Sequence, residues 1–272
     1  MAKHNPRPAW QSCHRLNRVP PARIGHEPDS GQAPGFERVK VAAAHRPAYS
    51  AAMNDPETRL ATVRSAMAKA AKTAGRSADA TTLIAVSKTR TADEITPLIA
   101  AGQRDFGENR VQEAQDKWPA LVAATPDIRL HLVGQLQSNK AEDAVALFDV
   151  IHSVDRASLV TALGKAQDRA NRRPAVFIQV NIGDEDQKGG CPVTDLLVLL
   201  AQARAAALDV VGLMAVPPAA LEPAPYFALL AKLARDHGLS QLSMGMSGDF
   251  ETAIKLGATH IRIGTALFGS RA

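Results

Sequence analysis

Between residues 83 and 263 the sequence alternates short apolar runs with segments of helical period or loops long enough to hold a helix. Runs that are apolar on both faces are typical of parallel strands covered by helices. The predicted strands fall at 83–87, 104–107, 129–133, 150–154, 175–180, 210–214, 241–246 and 260–263, and the run at 175–180 is apolar on both faces except at Gln179. Eight such strands in about 220 residues predict an α/β fold, a single (β/α)8 barrel that occupies residues 53–272.

The same alternation of strands and helices also fits an open, doubly wound sheet, which is the alternative to the barrel. Folds of that kind that bind dinucleotides carry a Gly-x-Gly-x-x-Gly motif after the first strand. Here the first strand is followed by Ser87, Lys88 and Thr89. The barrel is therefore the preferred interpretation.

Residues 1–52 differ in composition from the rest of the chain. They contain eight Lys or Arg and three Asp or Glu, whereas residues 53–272 contain 24 of each, so the formal net charge of +5 lies in this segment. They also hold seven of the 17 prolines and show no sustained apolar period, which predicts a disordered basic tail. Met53 opens a helical segment, and we favour the interpretation that the protein starts there.

Charge and hydropathy narrow the classes of function. Because the residues from 53 onward are balanced in charge, we expect no nucleic-acid partner. The sequence has no run of about 20 apolar residues, so we expect no membrane-spanning helix. Cys13 and Cys191 lie far apart and have no metal-ligand spacing, which indicates a reduced, cytoplasmic protein.

The first apolar run leads into an amine, Lys88. A lysine just beyond a strand is most simply a solvated surface residue. In a (β/α)8 barrel, however, the carboxyl ends of the strands form the rim where active sites lie. A partly desolvated lysine at that rim can form a Schiff base with an aldehyde. Lys88 is therefore a candidate for covalent ligand binding.

The last two strands lead into hydroxyl groups beside glycines. Ser247 precedes Gly248 at the start of a predicted helix, and Gly264 and Thr265 follow the last strand. The loops after strands seven and eight of this fold frequently bind phosphate, and N–H groups at a helix start favour anions. Two ordinary glycine turns would give the same local sequence. Taken with Lys88, the pattern favours a phosphorylated aldehyde.

His131 and His152 lie within predicted strands. Neither has a second ligand at metal spacing in the sequence. We expect them to be hydrogen-bonded core residues rather than metal ligands.

Seven segments of the predicted barrel form a recognisable pattern. They are VSKT at 86–89, FGEN at 106–109, HLVGQLQSNK at 131–140, HSVD at 152–155, GLM at 212–214, MSGD at 246–249 and RIGTALFG at 262–269. In this order they resemble the YggS/PROSC family of pyridoxal-phosphate-binding homeostasis proteins, from about residue 57 to the C-terminus. The segment up to residue 52 has no counterpart in the family pattern.

The resemblance implies a barrel similar to the N-terminal domain of alanine racemase. It also implies a pyridoxal 5′-phosphate cofactor that is joined to Lys88 as a Schiff base. The cofactor phosphate would be held around Ser247, Gly264 and Thr265, and Arg262 would reach either the phosphate or the ring nitrogen. Three further residues are implied to line the pocket: Asn109, Asn181 and Met214.

Binding the cofactor and using it for catalysis are different functions. A racemase of related fold needs an acid or base on the face of the cofactor opposite the lysine, commonly from a second domain or subunit. The barrel takes up nearly all of the ordered chain, and neither Tyr49 nor Tyr226 falls at the predicted rim. We therefore expect a monomeric, non-catalytic carrier that buffers pyridoxal phosphate in the cell or delivers it to apo-enzymes.

Two alternatives to a carrier remain. One is a racemase-like, pyridoxal-phosphate-dependent enzyme that acts on an unidentified amino acid. The other is a class I aldolase type of barrel that uses Lys88 without a cofactor.

Overall fold

Eight parallel strands close into a barrel in sequence order in the computed structural model, which describes residues 55–269. The pairing of the first strand with the eighth closes the ring. The strands are β1 Thr82–Val86, β2 Asp105–Glu108, β3 Arg129–Leu132, β4 Val150–Val154, β5 Ala175–Gln179, β6 Asp209–Met214, β7 Gln241–Ser243 and β8 His260–Ile263. The predicted (β/α)8 barrel is confirmed, and the doubly wound alternative is wrong. The predicted tail, Tyr49 and the proposed start at Met53 lie outside the described residues.

Helices separate the strands, and signals in the sequence fix where several of them begin. Asp55 caps the first helix by accepting the N–H of Thr58, with Pro56 in the first turn. Thr91 and Glu94 form a capping box at the second helix. The helices are α1 Pro56–Thr73, α2 Ala92–Ala100, α3 Val111–Ala124, α4 Ala141–Leu147, α5 Ala157–Ala170, α6 Leu196–Ala205, α7 Ala224–Asp236, α8 Phe250–Lys255 and α9 Thr265–Phe268. Within residues 55–269 no helix has the length and apolar character needed to cross a membrane.

The end of the barrel differs from the prediction in two places. The apolar run at 241–246 predicts six strand residues, but β7 ends at Ser243. Gly245 has a φ of +96°, which interrupts the extended backbone, and a Cβ at this position would lie 2.6 Å from the Cβ of Ala253. The single helical turn α9 follows β8 and was not signalled by the sequence pattern.

Most of the hydrophobic core lies between the barrel and the surrounding helices. Leu83 of β1, Ile95 of α2 and Trp118 of α3 belong to this layer and are buried. A smaller apolar cluster of Val150, Phe177 and Met214 comes from β4, β5 and β6 and lies inside the barrel. The alternation of side chains along each strand sends successive residues to these two places.

Much of the remaining barrel interior is polar, although the apolar side chain of Ile84 on β1 also faces it. The imidazole of His152 stacks on the ring of Phe177 at a centroid distance of 4.5 Å, and it lies 5.2 Å from the imidazole of His131. Barrels of this kind are usually filled by branched apolar side chains. The buried polar side chains in this interior are His131, His152, Ser243, His260 and Arg262. The prediction that His131 and His152 are hydrogen-bonded core residues agrees with this placement.

Burial disfavours the charged form of the three histidines. It lowers the pKa of His131, even though the nearby Asp105 opposes the shift. The pKa of His152 lies well below its ordinary value, because of burial and the neighbouring histidines and Arg262, and that of His260 is lowered to about 3. In an unfolded chain a histidine titrates near pH 6.5. Stability that is present above about pH 6.5 is therefore lost as the pH falls toward the folded pKa, since the unfolded state binds the protons first.

We expect the free energy of unfolding to decrease between pH 7.5 and pH 5.5. Each histidine that is protonated in the unfolded state but neutral in the folded state lowers the free energy of unfolding by about 1.4 kcal/mol per pH unit. Three such histidines would give a loss of at most about 4 kcal/mol over this range. Denaturant titrations at the two pH values measure the loss. His260→Gln, which removes one of the three groups, should reduce it by about a third. A free energy of unfolding that is equal at both pH values would contradict this account.

Candidate functional site

A cavity of about 390 Å³ opens at the carboxyl ends of the strands. It lies where β1, β2, β7 and β8 end, which is the rim that carries the active site in this fold. Six of the eight predicted site residues line it: Lys88, Asn109, Ser247, Arg262, Gly264 and Thr265. Residues far apart in the sequence therefore meet at one place.

The other two predicted site residues lie away from this cavity. Met214 is buried in the barrel interior, where it packs with Val150 and Phe177. Asn181 holds its own loop together, since its amide donates to the carbonyl of Glu185 and accepts the N–H of the same residue, at 3.0 and 3.2 Å. Both have a structural role in this arrangement.

Several residues that the sequence reasoning did not select also line the cavity. They supply an apolar wall and a glycine, and none belongs to a residue type that signals binding by itself. They are Val86, Val133, Val216, Met246 and Gly248. Only their position at strand ends, once the barrel is assumed, could have identified them.

Lys88 lies two residues beyond β1 and is exposed at the mouth of the cavity, rather than partly desolvated as the sequence analysis expected. Side chains of α3 hold the turn that carries Lys88 through hydrogen bonds. The Nζ of Lys117 on α3 donates to the carbonyls of Ser87 and Arg90, at 2.9 and 3.1 Å. Thr89 has a φ of +61°, which is unfavourable for a β-branched residue, and its N–H donates to Glu113. The backbone on both sides of Lys88 is therefore fixed while its side chain is open to solvent.

A buried ion pair underlies this turn. Glu108, at the end of β2, is fully buried, and its Oε1 lies 2.8 Å from the Nζ of Lys117. The same oxygen accepts the hydroxyl of Ser87 at 2.6 Å and the indole N–H of Trp118 at 3.0 Å. A glutamate just before a helix could simply complement the dipole of that helix. In the structure Glu108 instead connects β2 and α3 to the residue that precedes Lys88.

Asn109 is placed in the cavity by the close approach of two loops. A Cβ on Gly134, which follows β3, would lie 2.3 Å from the carbonyl oxygen of Asn109. Only glycine leaves space for the backbone of Asn109 at this point. Asn109 makes no cap on α3, whose capping position is occupied by Arg110.

The loops after β7 and β8 present unpaired N–H groups to the cavity. Among the hydrogen bonds of residues 55–269, the backbone N–H groups of Ser247, Gly248, Gly264 and Thr265 donate none. The neighbouring N–H of Met246 is occupied, since it donates to the carboxylate of Asp249 at 2.6 Å. Backbone donors that converge with the hydroxyls of Ser247 and Thr265 form a site suited to an anion.

Arg262 supplies a fixed positive charge at the inner wall of the cavity. It is 6% exposed, and its guanidinium donates to the hydroxyl of Ser243 at 2.7 Å and to the carbonyl of Ala215 at 3.0 Å. Burial lowers the pKa of Arg262 to about 10, so it remains charged at neutral pH. The cavity thus combines an exposed amine, a buried guanidinium and unpaired N–H donors.

The fold and the cavity define a class of protein: a (β/α)8 barrel with a lysine, an arginine and an anion-binding group of N–H donors at its carboxyl rim. Residues 60–272 match the family of the alanine racemase N-terminal domain. The chain belongs to this family and, within it, to the pyridoxal phosphate homeostasis proteins, as the segments at the strand ends indicate.

Known relatives agree closely with the chain over the barrel. The pyridoxal phosphate homeostasis protein of Escherichia coli strain K12 is 40% identical over 235 residues, which cover 80% of this chain and 98% of the relative. That of Pseudomonas aeruginosa is 42% identical over 224 residues, or 78% of this chain and 94% of the relative. The structure of PipY from Synechococcus elongatus PCC7942 with PLP bound is 40% identical, has a TM-score of 0.69, and matches over 79% of this chain and 100% of that one.

We expect Lys117→Ala to destabilise the fold strongly, because it leaves the carboxylate of Glu108 buried without a counter-charge. Breaking a buried ion pair on one side typically costs about 3–5 kcal/mol. Denaturant titration measures the free energy of unfolding. The control is Lys232→Ala, which removes a pair with Asp236 whose side chains are 64% and 48% exposed. That loss should be far smaller, because an exposed ion pair contributes little to stability, and losses of equal size in the two variants would contradict the buried-pair account.

Proposed function

We propose that this chain binds pyridoxal 5′-phosphate in the rim cavity, holds it covalently on Lys88, and buffers it or delivers it to apo-enzymes. The observation that carries the proposal is the convergence of the Lys88 amine, the Arg262 guanidinium and the unpaired N–H groups after β7 and β8 on one cavity. The relatives named for pyridoxal phosphate homeostasis, and the 40% identical PipY structure with PLP bound, support it.

The residues of the cavity fit the chemistry of this cofactor. The cavity has a volume of about 390 Å³, which falls in the usual range for small-molecule sites, roughly 300–1,000 Å³. A phosphate dianion needs several donors, and the N–H groups of Ser247, Gly248, Gly264 and Thr265 have no acceptor among residues 55–269. An aldehyde needs an unprotonated amine, and Lys88 reaches the same cavity.

Each residue has a distinct task in the proposed site. Ser247 and Thr265, with the adjacent backbone N–H groups, bind the phosphate through charge-assisted hydrogen bonds. The Nζ of Lys88 bonds to the aldehyde carbon with loss of one water molecule. Arg262 orients the ring or the phosphate from the inner wall, and Asn109 contacts the ligand from the end of β2. When bound, the cofactor supplies an electrophilic carbon that accepts an amine.

The lining of the cavity supports a carrier rather than an enzyme. In the described part of the chain its polar side chains are those of Lys88, Asn109, Ser247, Arg262 and Thr265, and a carboxylate or imidazole is not among them. Tyr226 packs against the main hydrophobic core and is not among the residues that line the cavity. The proposed carrier acts as a monomer in the cytoplasm, with apo-enzymes that need the cofactor as its partners.

Lys88→Ala should abolish the adduct that borohydride fixes to the wild-type protein after incubation with pyridoxal phosphate. The variant lacks the amine that forms the bond, and the fold should be unaffected because Lys88 is exposed. Intact-protein mass spectrometry measures the adduct, and circular dichroism checks the fold. The control is Lys165→Ala, which removes another exposed lysine, on α5, and should retain one adduct per chain.

Two outcomes would contradict the proposed function. One is a full stoichiometric adduct in Lys88→Ala. The other is steady racemisation or consumption of an amino acid by the loaded wild-type protein, which would make it an enzyme rather than a carrier.

Ser247→Ala and Thr265→Val should weaken retention of pyridoxal phosphate without removing the covalent bond. Each variant loses a hydrogen bond to a charged group, and such a bond contributes about 1.5–3 kcal/mol. Equilibrium dialysis gives the affinity. The same variants should bind pyridoxal, which has no phosphate, as well as the wild type does. An equal loss for both ligands would show that the two hydroxyls do not contact the phosphate.

A further inference from the structure

A continuous series of hydrogen bonds runs through the barrel interior and ends at Arg262. Asp105 Oδ1 lies 3.0 Å from His131 Nε2, and His131 Nδ1 lies 3.0 Å from His152 Nε2. His152 Nδ1 lies 2.8 Å from Ser243 Oγ, which lies 2.7 Å from Arg262 Nη1. We call these five side chains the interior chain. The bond from His152 on β4 to Ser243 on β7 joins strands that are not neighbours, so it crosses the barrel.

The carboxylate end of the interior chain fixes the direction of the bonds through two neutral histidines. A carboxylate only accepts, so His131 donates to Asp105 through Nε2–H, and a neutral His131 then accepts at Nδ1. His152 must donate to it through Nε2–H and accept at its own Nδ1 from the Ser243 hydroxyl. The Ser243 oxygen in turn accepts from Arg262, which only donates. The carboxylate end therefore requires the tautomer with the hydrogen on Nε2 in both neutral histidines, and the donation from Arg262 to Ser243 is compatible with it.

The surroundings keep both imidazoles neutral. Burial lowers the pKa of each, and the charges that face them act in both directions. Asp105 and Asp149 raise the pKa of His131, whereas Arg129 lowers it. His131, His260 and Arg262 all lower the pKa of His152. A proton added to Nδ1 of His131 would face the Nε2–H of His152 and break the bond between the two rings, whereas the hydroxyl of Ser243 can accept as well as donate.

The interior chain leaves part of the guanidinium free to face a ligand. Arginine has five N–H donors. Within residues 55–269, Arg262 uses one toward Ser243 and one toward Ala215, both on its protein side. Arg262 also lines the cavity, so the donors that it does not use toward Ser243 and Ala215 are the ones available to a ligand there. Its orientation is therefore set from inside the barrel.

We propose that Ser243 and His152 are positioning residues for Arg262, and that the interior chain from Asp105 holds the guanidinium in the single orientation that the bound cofactor needs. The proposal rests on the proposed function, since it assigns Arg262 to pyridoxal phosphate. Neither Ser243 nor His152 lines the cavity, so both act through Arg262. Asp105 acts from the opposite end of the barrel, at the first residue of β2.

Ser243→Ala tests the link next to Arg262. It should raise the Kd for pyridoxal phosphate about tenfold, because the guanidinium loses one of its two anchors. Ser153→Ala is the matched control: Ser153 is also fully buried, it lies on β4 next to His152, and its hydroxyl has no hydrogen-bond partner among residues 55–269. The Kd of the control should stay within about twofold of the wild type. Equal Kd values for the two serine variants would overturn the positioning role.

The second readout is the tautomer of each histidine, measured by ¹⁵N NMR of histidine-labelled protein without cofactor at pH 7. His131 and His152 should both show the Nε2–H tautomer. Asp105→Asn should give mixed tautomers, since an amide offers either an acceptor or a donor to His131, and should also raise the Kd. A protonated or Nδ1–H imidazole in the wild type, or unchanged tautomers and Kd in Asp105→Asn, would overturn the interior chain.

These two readouts separate the inference from the proposed function. The tautomers are read without ligand, so they decide whether the interior chain exists even if pyridoxal phosphate does not bind. Absence of binding by the wild type would overturn the proposed function and the positioning role together. Binding by the wild type with no response in Ser243→Ala or Asp105→Asn would overturn the positioning role alone.

Discussion

The site depends on the pairing of β1 with β8, which closes the barrel. Their register matches Ala85 with Ile263, so Lys88 and the turn at Gly264 and Thr265 leave the barrel side by side. These groups stand at opposite ends of the folded chain, and no local contact would bring them together. The parallel arrangement also sends both carboxyl ends to the same rim. Closure thus places the exposed amine of Lys88 next to the unpaired N–H donors of the cavity.

A polar barrel interior carries a cost that this fold usually avoids. Each buried imidazole, hydroxyl and guanidinium loses hydration and must regain it through a hydrogen bond. The side chains from Asp105 to Arg262 meet this requirement together, since removal of an inner member leaves two neighbours without that partner and removal of an end member leaves one. An interior of branched apolar residues would avoid that cost but could not hold a charged guanidinium at the rim. The interior is therefore best understood as part of the site.

The local sequence pattern was sufficient to predict the barrel architecture and most of the residues that line the cavity. The apolar runs gave the eight strands, and strand ends in a closed barrel converge whatever the residues between them. What the sequence could not give depends on register and on contacts across the barrel. The pairing of Glu108 with Lys117, and that of His152 with Ser243, have no signal in spacing because their partners lie on separate elements. Lys88 was expected to be desolvated, and the structure shows it exposed, because solvent access depends on the depth of the rim.

The two sides of the cavity suit the opposite demands of holding and releasing a cofactor. On the inner side, Arg262 is buried and anchored at two acceptors, which favours one orientation of a bound ligand. On the outer side, Lys88 is exposed. The bond between this amine and an aldehyde carbon forms with loss of one water molecule and is reversed by addition of one. An enzyme gains from a closed site that excludes water. A carrier instead needs water to reach the bond, so the exposure of Lys88 fits release as well as capture.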